Sequence, residues 1–151
     1  MLSTVLETKT YKDNVELSEK KTIYSGTVPS KIQTLKGTQS LEDRLLFERF
    51  ENDNLVQVKQ ADGTTTAYIW GYDNRYIIAK VENATYADIE GLTAFGLGFT
   101  ITGNLSPTQE NELRGLPNVL VTTFDYDPIV GVTSIKDPRK NVISYEYDDF
   151  H

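Results

Sequence analysis

A short phrase recurs three times in this chain, and it limits what the chain can fold into. It reads Ile69-Trp70-Gly71-Tyr72-Asp73, then Phe124-Asp125-Tyr126-Asp127, then Tyr145-Glu146-Tyr147-Asp148. A worn fourth copy stands at Phe47-Glu48-Arg49-Phe50-Glu51-Asn52-Asp53. Aromatic and β-branched residues favour a pleated, half-buried surface, and successive strand side chains point to opposite faces. The phrase therefore predicts a strand with Tyr68, Trp70 and Tyr72 on one face, then Thr122, Phe124 and Tyr126, then Tyr145 and Tyr147. Tyr72 and Tyr126 are each expected to be largely buried with the hydroxyl bonded. The Asp that follows stands where the chain must turn. Its carboxylate can accept a backbone N–H two residues on, so Asp73, Asp127 and Asp148 read as turn formers with Tyr72, Tyr126 and Tyr147 as their strand partners.

Around the phrase the chain reads as consecutive hairpins. Residues 1–40 form polar strands: Thr4 to Tyr11, a Lys12-Asp13-Asn14 turn, Val15 to Tyr24, and a short strand from Pro29 to Leu35. Residues 41–82 form a cleaner meander, with Leu45 to Phe50, Leu55 to Lys59, Thr64 to Tyr72 and Tyr76 to Val81 as strands. Asp62-Gly63 is a tight hairpin turn. Between residues 83 and 117 the period-2 alternation fades. Asn83 can cap a short helix that Gly91 ends. Ser106-Pro107-Thr108-Gln109 carries a cap, a first-turn proline and a capping box, predicting a helix to Arg114. Residues 118–151 return to hairpins, with Val119 to Tyr126, Gly131 to Ile135 and Val142 to Tyr147 as strands. The expected fold is one mostly β domain: an antiparallel β-hairpin meander with a small, partly helical insertion at 83–117. That insertion, glycine-rich and built of short helices, is expected to be less stable than the meander.

The three Tyr-Asp copies resemble the YD repeats of the bacterial Rhs family. Ala67 to Tyr72, Ile78 to Tyr86, Leu116-Pro117-Asn118 and Val130 to Arg139 are similar to phrases that recur in its long-repeat members. The resemblance is strongest from residue 41 to the end. It implies a spiral of β-hairpins, part of a large shell or a surface structure, and an extracellular or cell-surface location for the parent. The chain departs from the pattern where Gly-Arg-Leu should follow the Tyr-Asp step. Asn74-Arg75-Tyr76 stands there in the first copy, and a displaced Gly131 in the second.

Chemistry has little to work with. There is no Cys and a single His, His151, so disulfides, an ordinary zinc set and a Ser-His-Asp triad find no residues. The carboxylates Asp73, Asp127, Asp148 and Glu146 could form an acid pair as in glycosidases. Asp125 with Asp127, or Asp148 with Asp149, could hold calcium. Nothing in their spacing makes either set converge, so no catalytic residue, metal or cofactor is expected. Gly96-Leu97-Gly98 lacks the third Gly and the Lys of a phosphate loop and reads as a packed apolar loop.

The formal charge of −7 argues against nucleic acid. Residues 1–40 carry six Lys against four acids, +2, which leaves −9 for the remainder. No apolar run could span a membrane, and Met1 to Glu7 has no basic-then-apolar signal pattern. The expected function is a non-catalytic structural module of the YD-repeat kind. The alternative is a protein- or glycan-binding module that uses the insertion or a sheet face, with Trp70, Tyr72 and Tyr76 as a stacking platform. The expected partner is a neighbouring repeat of a longer chain, or a second copy, through an edge strand at 142–147.

Overall fold

The computed structural model describes residues 5–148. Ten strands follow one another in chain order through one open antiparallel sheet. They are β1 Val5–Lys12, β2 Val15–Ser25, β3 Val28–Lys36, β4 Glu42–Glu51, β5 Asn54–Gln60, β6 Thr65–Gly71, β7 Tyr76–Glu82, β8 Leu120–Asp127, β9 Gly131–Lys136 and β10 Val142–Ser144. Between β7 and β8 stand α1 Tyr86–Glu90 and α2 Pro107–Arg114. The chain is thus mostly β, antiparallel and interrupted by a small helical insertion. Asp149 and His151 lie outside the described residues.

The turns explain the sequential order. Asp13 and Asn14, and again Asn52 and Asp53, take left-handed backbone at both central positions, the conformation that matches hairpin twist. Tight turns of this kind leave β2 beside β1 and β5 beside β4.

Residue contacts divide the chain into two compact units: Met1–Arg49 with Val58–Thr64, and Phe50–Gln57 with Thr65–His151. In the first unit, β1 is exposed along its whole length, and Glu19 is the buried residue of β2. Charge pairs line the β1–β2 hairpin. Glu7 faces Lys21 and Lys9 faces Glu19 across the β1–β2 ladder, so opposite charges meet directly, the arrangement that stabilises a strand pair. Lys21 Nζ lies 3.3 Å from Glu19 Oε1 and 3.5 Å from Glu7 Oε1.

Glu7 records this network. The hydrogen bond it shares with the Glu19 carboxyl, and next that from Lys9, hold its pKa down to about 2. A carboxyl with a depressed folded pKa adds stability that is complete above its unfolded value, near 4.5, and that fades as pH falls toward the folded value. The expected outcome is a Glu7 side-chain carbon titrating near pH 2 by NMR, with the first unit losing stability between pH 4.5 and 2. A midpoint at the ordinary glutamate value would show that the β1–β2 charge pairs do not persist in solution.

The second unit holds an apolar core. Ala67, Ile69, Ile78, Ala79, Val81 and Val121 come from β6, β7 and β8, while Ala84, Ile89, Ile101 and Leu113 come from the insertion. Residues 83–117 thus supply the second layer that a sheet face needs to be buried. The helices form where capping residues allow. Ser106 accepts from the Gln109 N–H, and the Gln109 side chain accepts from the Ser106 N–H. Thr85, not Asn83, caps α1, in a reciprocal box with Asp88. Asn83 has φ +66° and donates from Nδ2 to Asn118 O.

One ion network pins α2 to the hairpin beside it. Arg114 Nε lies 2.8 Å from Glu110 Oε1, and Nη1 donates to the carbonyls of Val121 and Asp137. Lys136 Nζ reaches the other Glu110 oxygen at 3.0 Å. Burial pushes Glu110 up, but Lys136 and Arg114 overcome it and hold the carboxyl below its usual range.

The strand expected at Val142 to Tyr147 is shorter. β10 pairs with β9 from Val142 to Ser144, and the Tyr145 N–H still reaches Thr133 O. Beyond that the contact is made by a side chain, the Tyr147 hydroxyl donating to Val132 O at 2.7 Å.

Candidate functional site

The first two copies of the repeated phrase meet in space. Tyr76 and Tyr126 stack with ring centroids 4.9 Å apart, and Tyr72 sets its edge against both, at 5.7 and 6.2 Å. Such pairs contribute beyond their buried area. The Tyr72 hydroxyl donates to Tyr126 O at 2.6 Å. Asn104, from the insertion, closes the knot: its Oδ1 accepts from the Tyr126 N–H, and its side chain bonds the Tyr72 hydroxyl.

Two expectations change at this point. Tyr72 does not share the strand face of Tyr68 and Trp70. β6 ends at Gly71, and Tyr72, Asp73 and Asn74 all take left-handed backbone, φ +52°, +56° and +66°. A bulge between Ile69 and Trp70 also shifts the register, and bulges re-aim side chains. Tyr72 and Tyr126 are half-buried rather than fully enclosed, both packed on the core from its rim.

The Trp70, Tyr72 and Tyr76 set is split. Tyr72 and Tyr76 belong to the tyrosine knot. Trp70 donates its indole N–H to Leu55 O at 2.8 Å. It lines a cavity of about 40 Å³ with Val56, Tyr86 and Phe99, and with Glu51 and Glu90 at its polar side. That space accommodates water molecules and falls far below the roughly 300 Å³ at which small-molecule pockets begin.

Two of the acidic residues are occupied locally. Asp127 Oδ1 accepts from the Ile129 N–H, two residues on, as a turn former does. Asp125 accepts from the Ser134 hydroxyl. Asp73 is exposed, and its backbone N–H donates to Ile101 O. Tyr147 and Asp148 are exposed. Among the described residues no three His, Cys, Asp or Glu side chains gather as a metal set. Burial, then the Asp125 and Asp127 charges, push the Tyr72 hydroxyl up; burial, then Tyr76, do the same for Tyr126. Both phenols therefore stay protonated at neutral pH, and the Tyr72 hydroxyl acts as a donor.

At the Gly96-Leu97-Gly98 turn the Gly96 N–H is taken by Leu92 O, and acids stand against the N–H groups of Gly98 and of Ala94 just before it. The Gly98 N–H donates to Glu90, and the Ala94 N–H donates to Glu112. A phosphate would meet carboxylates there. Phe99 instead stacks on Tyr86 and takes the edge of Phe95, so the stretch is packing.

Sequence reasoning passed over Asn104 and the Arg114–Glu110–Lys136 set. The spacing of Glu110 and Arg114, one helical turn apart, is a visible pairing signal. Asn104 carries none. No protein-family model matches the chain, and no curated protein is significantly similar to it.

Proposed function

We propose that this chain is a non-catalytic structural module, a stretch of β-hairpin repeat of the YD type found in Rhs-like shell and surface proteins. The observation that carries the reading is how successive copies touch. Tyr72 of the first phrase donates its hydroxyl to the backbone of the second, at Tyr126 O, and Tyr147 of the third donates to the neighbouring hairpin at Val132 O. A phenol that bonds the backbone of the next hairpin is a joint between repeats. Of the acids beside it, Asp127 closes a turn and Asp125 holds the Ser134 hydroxyl of the paired strand.

In such an array each unit contacts its neighbours, and stability is a sum of unit and interface contributions. The partner at the β10 edge is then a further repeat of the same kind. Residues 127–147 span the 21 residues that separate the second tyrosine from the third. Inserting a second copy of them after Tyr147 should extend the sheet by one hairpin. The expected result is a single cooperative urea transition with a raised midpoint and a larger m value, since m grows with the surface exposed on unfolding. A lowered midpoint, or a separate transition for the added segment, would overturn the repeat reading.

A further inference from the structure

Strand β1 is exposed at all eight positions, and among the described residues β2 is the strand that pairs with it. Its outer edge presents backbone N–H and C=O groups to any strand that can align. Lysines on an edge usually discourage this, but here Lys9 alternates with Glu7, and the strand is complementary to itself. Set antiparallel against a second copy with Thr8 opposite Thr8, Glu7 meets Lys9, Leu6 meets Thr10 and Val5 meets Tyr11. Opposite charges, Thr–Thr, and β-branched–aromatic are the cross-strand pairs that stabilise antiparallel sheets. Val5, Leu6 and Tyr11, now 47%, 63% and 56% exposed, each gain a facing side chain.

The register is selective. A two-fold axis normal to the sheet keeps each face continuous, so the pairing can shift only by whole steps of the pleat. One step either way sets Glu7 opposite Glu7 or Lys9 opposite Lys9, and like charges directly opposite are destabilising. In the central register the charge alternation within the chain, Lys21 to Glu7 and Lys9 to Glu19, continues across the axis. We propose that two copies of this chain join through β1, antiparallel, about a two-fold axis at Thr8.

A single strand pair buries less than the roughly 1,000 Å² of a stable interface, so the dimer is weak. Sedimentation at low salt should show the mass doubling as the chain is concentrated toward about 1 mM, a range suited to so small an interface. Glu7→Lys and Lys9→Glu each place like charges in register and should be monomeric at the same concentration. Their equimolar mixture restores both opposite-charge pairs and should return to the dimeric mass. Far-ultraviolet dichroism checks that each variant keeps its sheet. A geometric arm needs no charge change. The chain has no cysteine, so a nitroxide on Thr10→Cys in one copy should broaden the Leu6 amide of an isotope-enriched second copy. A wild type that stays monomeric, a dimer indifferent to both reversals, or broadening confined to β10 would overturn the proposal.

Discussion

Truncating Leu113 to alanine should destabilise the second unit by roughly 2–5 kcal/mol in urea melts, the range for large-to-small changes in a closed core. Leu113 is fully buried, as is Ile89 on α1. Both belong to one contiguous cluster with the sheet residues Ile69 and Ile78. The cost includes the transfer of the lost methyl groups and the cavity left behind. Arg114, next in sequence, is fixed to Glu110, Val121 and Asp137, so α2 cannot slide inward to fill the space. Ile69→Ala should cost a similar amount, because the two side chains line the same core from opposite layers. Amide exchange in α2 should then be as slow as in β6 and β7. If Leu113→Ala cost under about 1 kcal/mol while Ile69→Ala cost several, the insertion would be a loose cover, as its glycines and short helices first indicate.

The contrast shows which parts of this chain were legible. Hairpins were, because their signals are local. Alternation places β4 to β7, Asp62-Gly63 and Asp13-Asn14 mark turns, and Ser106-Pro107-Gln109 fixes the start of α2. The role of 83–117 was not legible, because Ile89, Ile101 and Leu113 are too sparse to show a period, and their burial depends on a sheet distant in sequence. The Tyr72 conformation was hidden for a related reason. Alternation carries it onto the strand face of Trp70, while the structure puts it in a left-handed turn that costs on the order of 1 kcal/mol. Its bond to Tyr126 O, a contact across 54 residues, offsets that cost. The repeated phrase was visible as a pattern, but its use as a joint between hairpins became visible only in three dimensions. The same holds for Trp70. An aromatic row suggested a platform, and the bulge before it turned the indole to Leu55 O.

Gly71→Ala should cost about 3 kcal/mol, the upper part of the usual range for overpacking a filled site, although it adds only a methyl group. Gly71 closes β6 inside the repeated phrase and is buried. A Cβ there would meet the carbonyl oxygen of Gly103 at less than contact distance and come within 2.8 and 2.9 Å of two Ile78 side-chain carbons. The first obstacle is backbone, so a rotamer change cannot relieve it. The 103 segment would have to retreat, and it carries Ile101 into the core and Asn104 onto Tyr72 and Tyr126. Here the glycine serves close approach of two chain segments rather than a special φ. The substitution should therefore weaken two things together: overall stability in urea, and the Tyr72 hydroxyl bond, read as faster exchange of the Tyr126 N–H that Asn104 covers. Gly63→Ala is the control. Its left-handed φ of +87° makes alanine strained, but no atom stands within 4 Å of the added carbon. It should cost about 1 kcal/mol and leave the Tyr126 N–H untouched. Equal losses at the two positions would mean that Gly71 matters only for backbone freedom and that the insertion does not press on the sheet at this point.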